Sequence, residues 1–241
     1  MKRKLAASLA LVAEAIGEVI AKRSAIFGAA FLPMAGIVLA NAMFANVTPS
    51  VFSNAFLLLI TLPLYALFAT VVHRVVLLGE PSLPNRMGIF WTERETRFLG
   101  WLVGILLLDF ALSLPTAMLS FALSGDMTGW DSAWIGTILG YILIAYFQGR
   151  FSLVLPATAT DRPLDFRESW AMSRGKGMMI AIALVLPAML PLPIESVLYG
   201  VLGVSFRPVA DLLWILLTIP ILAVEVAIIS LVFDKLSFRG R

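Results

Sequence analysis

Two carboxylates stand inside long apolar runs of this chain, and they are the residues whose type and placement could do chemistry. Asp109 sits near the middle of the run 98–123, and Glu225 lies in the last run, 211–233. Arg150, Arg74 and His73 stand near the ends of two other runs. An ionisable side chain at the centre of a bilayer costs about 2.5–3.5 kcal/mol on insertion scales, so each one needs a partner or a task. At a rise of about 1.5 Å per helical residue, Glu225 and Arg150 fall at similar depth. That predicts a buried cluster of Glu225 with Arg150, joined by Arg74 and His73. An ion pair that fixes helix packing is its first role, and a proton- or ion-coupling site is the alternative. Asp109 has no cation at its depth, so Ser113, Tyr141 or a protonated carboxyl would have to satisfy it. Among these residues it is the better transport candidate, and a hydrogen-bonded packing residue is its plainer role.

Other chemistry is poorly supplied. The chain has no cysteine and one histidine, which removes thiolate nucleophiles, disulfides and histidine-rich metal sites. No Walker loop, dinucleotide-binding glycine fingerprint, HExxH helix or nucleophile elbow occurs. No catalytic residue, metal or cofactor is therefore expected. Basic and aromatic residues do not alternate as a nucleic-acid platform would require, so no nucleic acid is expected as a partner.

The elements that hold these residues follow from composition. Of 241 residues 60% are hydrophobic and 14% charged, against about 25% charged in soluble domains. Polar surface is too scarce to cover a globule, so the solvent must largely be lipid. Six apolar runs, 25–44, 51–78, 98–123, 133–155, 178–202 and 211–233, each approach the ~20 residues that cross a ~30 Å hydrocarbon core. The expected fold is all-α, a six-helix transmembrane bundle over 25–241 preceded by an N-terminal helix over 1–24. Pro156 should end or kink the fourth span, and Pro187, Pro191 and Pro193 should break the fifth. With apolar surroundings and no convergent ligands, those breaks read as shape rather than as a site. The stretch 195–208 is open between an extension of the fifth span and a surface helix.

Charge sets the orientation. Of the 18 Lys and Arg residues, all but Arg207 fall on one side once six spans alternate. The positive-inside rule then makes both termini cytoplasmic, in the inner membrane of a bacterium. A cleaved signal peptide at MKRK would invert that arrangement, and the charge count decides against it. Residues 3–23 place Leu5, Leu9, Val12, Ile16 and Val19 at three- and four-residue steps, with Glu14, Glu18, Lys22 and Arg23 marking a polar face. Such a helix lies on the membrane surface.

The longest polar interruption is RFSLVLPATATDRPLDFRESWAMSRGKG, 150–177. Asp165 and Glu168 form a capping-box pattern, and Gly175 marks a C-terminal stop. The helix between carries Phe166 and Trp170 on one side, flanked by Arg167 and Arg174. It reads as an interfacial anchor over 165–174, facing anionic lipid or a specific headgroup or partner. Sliding the chain by 76 positions aligns Arg74 with Arg150, Leu77 with Leu153, Asn85 with Asp161, Arg86 with Arg162 and Phe90 with Phe166. Any such repeat would be parallel, because both segments follow spans running the same way. Two GxxxG patterns, Gly100–Gly104 and Gly136–Gly140, would let helices approach closely, within the bundle or between copies.

Arg150 followed by LVLPA, then Arg162–Pro163, RESW and SRGK, resembles a pattern in small six-span bacterial inner-membrane proteins. These are related to the membrane domain found beside some glycerophosphodiester phosphodiesterases. The likeness is concentrated in about 30 residues, and the span layout agrees more widely. It implies a helical inner-membrane bundle and supplies no catalytic residues. No phosphodiesterase domain accompanies it here, so that activity is not implied. The function expected is non-catalytic, through lipid or another membrane protein, as a scaffold, assembly or envelope-maintenance factor. A small transporter or channel using Asp109 and Glu225 is the alternative.

Overall fold

The computed structural model describes residues 2–44, 47, 48, 50–80, 91–124, 130–162, 164–202 and 207–238, and among these there is no strand. Among the described residues eleven helices follow in order: α1 Lys2–Ala21, α2 Arg23–Ala29, α3 Phe31–Phe44, α4 Val51–Leu78, α5 Glu93–Ser124, α6 Trp130–Phe151, α7 Val154–Ala159, α8 Phe166–Met172, α9 Gly177–Met189, α10 Pro191–Leu202 and α11 Arg207–Phe238. Among the described residues five segments are long and apolar enough to cross a membrane, or six when the bent pair α2–α3 is taken as one. Their outer faces carry large apolar side chains in the open, among them Phe52, Leu59, Leu107, Phe110 and Val201. A water-facing surface of that kind would aggregate, whereas lipid solvates it.

Proline sets the breaks. α2 and α3 meet at a 60° bend at Ala30, three residues before Pro33. The missing N–H of Pro33 leaves the Ala29 carbonyl without its helical donor, and the ring crowds that carbonyl. The expected first span, 25–44, is thus broken at Ala30 rather than continuous. Pro156 acts in the same way on Ser152, where α6 gives way to α7. Of the three prolines expected to break the fifth span, Pro187 lies within α9 and Pro193 within α10; the interruption falls at Leu190, and Pro191 opens α10 at the first helical position, where it has no N–H bond to lose. The stretch 195–208, open between an extension of the fifth span and a surface helix, is helical to Leu202 and again from Arg207, and 203–206 lie outside the described residues.

α1 lies across the ends of three other helices. Ser8 Oγ donates to Met179 O at the start of α9 (2.8 Å). Lys22 Nζ donates to Val76 O at the end of α4 (3.0 Å). Lys235, near the end of α11, pairs with Glu14. Its buried stripe is Ser8, Leu11, Ala15 and Val19. At about 100° per residue, the exposed Leu5, Leu9, Ile16 and Ile20 form the adjoining flank, with Glu14 and Glu18 on the flank opposite. The expected apolar face is therefore split, because Val19 turns into the protein while Leu5, Leu9 and Ile16 stay outside. Leu11, Ala15 and Val19 join the main core with residues of α4, α9 and α11, including Phe68, Val72, Ile180 and Ile228. The end of the bundle where α1 sits is called the basic end below.

α5 stands at the edge, with only 11% of its most apolar stretch buried. α6 closes on it where Gly140 faces Thr116, leaving a Cβ there only 3.0 Å from Thr116 Cβ. Gly104 meets the ring of Phe166 instead. Both glycines thus serve contacts within the chain, while Gly100 faces open space. The packing of Gly136 lies outside the described residues.

Candidate functional site

Two polar regions emerge, one at the basic end and one inside the bundle. At the basic end, Arg150 in the last turn of α6 reaches over α8. Its Nε donates to Ser173 Oγ (3.0 Å), Nη1 to Tyr146 OH (3.2 Å) and Nη2 to Trp170 O (2.5 Å). The guanidinium carbon lies 3.4 Å from the centre of the Trp170 ring, a stacked cation–π contact. Trp170 in turn stacks on Phe151 and Phe147, with ring centres 5.1 and 5.6 Å apart. Ser169 Oγ donates to Arg150 O (2.6 Å) and locks α8 onto the end of α6. Gly177 leaves room for the arginine stem, since a Cβ there would come within 2.8 Å of Arg150 Cδ.

This settles the geometry of 165–174. The capping box forms as expected, with Glu168 N donating to Asp165 Oδ1 (2.7 Å) and Asp165 N to Glu168 Oε2 (2.9 Å). Gly175 is left-handed, φ 76°, one residue beyond the usual stop position after the cap Ser173. Phe166 and Trp170 differ from expectation. They dock α8 on the protein, Phe166 against Trp101 and Phe151 and Trp170 against α6. Arg167 and Arg174 remain exposed.

Arg74, the residue aligned with Arg150 at the 76-residue offset, does a comparable job on α7. Its Nη1 donates to Ala159 O, the last carbonyl of that helix (2.9 Å), and approaches Asp161 Oδ2 at 3.4 Å. Each arginine thus places positive charge on the C-terminal carbonyls of a short helix, where the helix dipole favours it. The other aligned positions, Asn85, Arg86 and Phe90, lie outside the described residues.

Asp161 is the residue that sequence reasoning missed. It closes α7 in a Schellman motif: Arg162 N donates to Ala157 O (2.8 Å) and Asp161 N to Thr158 O (3.1 Å). The motif wants glycine at Asp161, whose φ is 58°, and a side chain there is strained. The carboxylate compensates by bridging Arg74 and Arg94, the latter at 2.8 Å from Nε to Oδ1. Arg94 also lies 3.6 Å from Glu95, which is fully buried. Thr92 N donates to Glu95 Oε2 (2.8 Å), and the Thr92 hydroxyl bonds the same oxygen. The T-x-x-E spacing of Thr92 and Glu95 is a capping-box signal that could have found this residue. A cleft of about 630 Å³ opens beside the network, lined by Arg94, Arg97, Asp161, Arg162, Asp165 and Glu168.

The expected cluster of Glu225 with Arg150, Arg74 and His73 does not form. Arg150 and Arg74 are engaged as described, and among the described residues no ion pair joins either to Glu225. His73 bonds Ser230 through Nδ1 at 2.7 Å. Because Ser230 Oγ donates to Val226 O (2.9 Å), Nδ1 is the donor, and the buried Nε2 has no partner among the described residues. Ser230 and Glu225 are five positions apart on α11, which turns them about 140° away from each other. The face of α11 that meets His73 therefore cannot also present Glu225.

Glu225 faces the other region, a cavity of about 470 Å³ among α3, α4, α9, α10 and α11. Its polar lining is Asn41, Tyr65, Thr218 and Glu225, with Trp214 among apolar residues. Ala188 and Pro191, either side of the Leu190 break, also line it, so the broken span that read as shape alone borders a polar cavity. The ligating groups come from other helices, which is why the local sequence hid them. A second cavity of about 230 Å³ shares Asn41, Trp214 and Ile215 and adds Asp211 near the start of α11. Tyr199 OH donates to Asp211 at 2.5 Å.

Asp109 is half-buried in the middle of α5, and its Oδ1 has no partner among the described residues. The expected partners are engaged or turned away. Ser113 donates to Phe110 O (2.7 Å), and Tyr141 is 67% exposed. No group of three or more His, Cys, Asp or Glu that could hold a metal occurs among the described residues.

Fold and sites together define the class: an all-helical membrane protein with five or six helices able to span a bilayer. No family model, curated protein or solved structure matches the chain.

Proposed function

We propose that this is a non-catalytic inner-membrane protein that acts through lipid or a second membrane protein, as a scaffold, assembly or envelope-maintenance factor. The observation that carries this is the three-sided α1. One stripe is buried against the bundle ends, one apolar flank is exposed, and an acidic flank lies opposite. A helix at a membrane surface meets those three environments: protein, acyl chains and water. Exposed Arg167 and Arg174 on and beside α8 suit an anionic leaflet at the same end. The excess of Lys and Arg there makes it the cytoplasmic side, with both termini inside. The resemblance of 150–177 to six-span bacterial inner-membrane proteins agrees with this reading.

The chain has no cysteine, so single cysteines report position without background. Leu9→Cys should resist a water-soluble maleimide and Glu18→Cys should react from the cytoplasmic side only. Function is tested by a native mass spectrum of the protein released in its own lipid. A stoichiometric second protein or a retained lipid class, lost in Leu9→Asp/Ile16→Asp, supports the proposal. A bare chain with neither overturns it.

A further inference from the structure

We propose that the cavity at Glu225 binds a protonated amine carrying an apolar body, one molecule per chain. This goes beyond the scaffold reading and does not depend on it. The cavity holds about 470 Å³, within the size range of small-molecule sites. Glu225 opens into it from α11, and among the described residues its carboxyl meets no hydrogen-bond donor and no cation. Among the described residues that line this cavity and its smaller neighbour, none is Lys, Arg or His. A carboxylate inside a lipid-solvated bundle with no protein cation beside it is stabilised by whatever cation enters.

The remaining polar lining specifies what kind. Asn41 Nδ2 donates one hydrogen to Ile37 O (2.8 Å), which leaves its amide oxygen and its second N–H to bond elsewhere. Thr218 Oγ1 gives its proton to its own helix, at Ile215 O (2.9 Å) or Trp214 O (3.1 Å). That hydroxyl can then only accept. Beside the Glu225 carboxylate, Thr218 and the Asn41 oxygen are acceptors, while the second Asn41 N–H, the Tyr65 hydroxyl and the Trp214 N–H are donors. The carboxylate and the acceptors near it suit a cationic ligand with several N–H donors. A primary ammonium has three, and the electron-rich face of the Trp214 ring suits a cation as well. The rest of the lining is apolar, including Ile37, Ile219 and Leu222, which suits a hydrocarbon or aromatic tail. A small hard metal ion suits it less, because such ions gather six or more oxygens. The neighbouring cavity continues toward the start of α11 and ends at a second carboxylate, Asp211. An amine approaching from that end meets negative charge first and the apolar chamber after it.

The test uses the full chain in nanodiscs and dansylcadaverine, a fluorescent primary amine, with empty nanodiscs subtracted. Binding should saturate at one probe per chain. Hexylamine should displace the probe, and hexanol, of the same length without the charge, should displace it at least tenfold more weakly. Glu225→Gln should weaken binding at least tenfold and Thr218→Val severalfold. The comparison of hexylamine with hexanol needs no variant, so a misfolded mutant cannot mask the result. Absence of saturable binding, equal displacement by hexanol, full affinity in Glu225→Gln, or displacement by millimolar sodium or magnesium ahead of hexylamine would each overturn the proposal. Loss of α1 from the membrane surface in the cysteine test would leave this result unchanged.

Discussion

At the basic end Arg150, Arg74, Arg94 and Asp161 all have partners, whereas inside the bundle Glu225 and the Oδ1 of Asp109 have none among the described residues. Arg150 has three hydrogen bonds and a stacked ring, and Asp161 holds two arginines. Glu225 has no protein partner among the described residues, although it borders a cavity of comparable size to the cleft beside the network. The difference separates two uses of charge in one membrane protein. A partnered charge fixes how helices end and cross. An unpartnered one at membrane depth costs stability for nothing unless something else binds it.

The largest effect that would test this contrast is at Arg150. Arg150→Met should lower stability by about 3 kcal/mol, combining lost charge-assisted hydrogen bonds with the lost stack on Trp170. Thermal unfolding in nanodiscs reads it. Arg150→Lys should recover little, because one ammonium cannot reach Tyr146, Ser173 and Trp170 O together or lie flat on the ring. Next comes Asp161. Its carboxylate is 59% exposed, so the ion pairs alone are worth well under 1 kcal/mol. Asp161→Ala should cost about 1–2 kcal/mol, because alanine keeps the left-handed strain and loses the bridge. Asp161→Gly should cost less than Asp161→Ala, because it relieves the strain. If alanine and glycine behave alike, strain at Asp161 is not what the carboxylate offsets.

Glu225→Gln belongs at the quiet end of the same scale. With no bond to lose and an amide cheaper to desolvate, it should change stability by no more than about 0.5 kcal/mol. A loss as large as that of Arg150→Met would place Glu225 in a structural network and break the contrast. Lys235→Gln, which removes an exposed pair with Glu14, should cost only a few tenths of a kcal/mol and fade with added salt.

Depth was legible in the sequence, and direction was not. Apolar runs, the breaks near Pro156 and Pro191 and the Asp165–Glu168 box follow from local rules, whereas the bend at Ala30 and the passage of α9 through Pro187 depart from the expectation drawn from them. Depth alone puts Glu225 level with Arg150 and says nothing of which way either side chain faces. Helices apolar on all sides, such as α4 and α11, carry no stripe that says which face meets which neighbour. Five positions were enough to turn Glu225 away from the side that bonds His73. The Schellman turn at Asp161 was hidden for a different reason, since an aspartate there departs from the glycine that the motif would advertise.

The bend at Ala30 has a consequence for the lipid around it. α3 has 14 residues, about 21 Å of helix, against the ~30 Å of a typical hydrocarbon core. Its neighbour α4, with 28 residues, is about twice as long. Phe31, Leu39 and Met43 expose their side chains along the short helix. Acyl chains beside α3 must shorten or tilt to cover it, while those beside α4 need not. The protein therefore carries its own thickness gradient, and it should rest most easily where the bilayer is already thin.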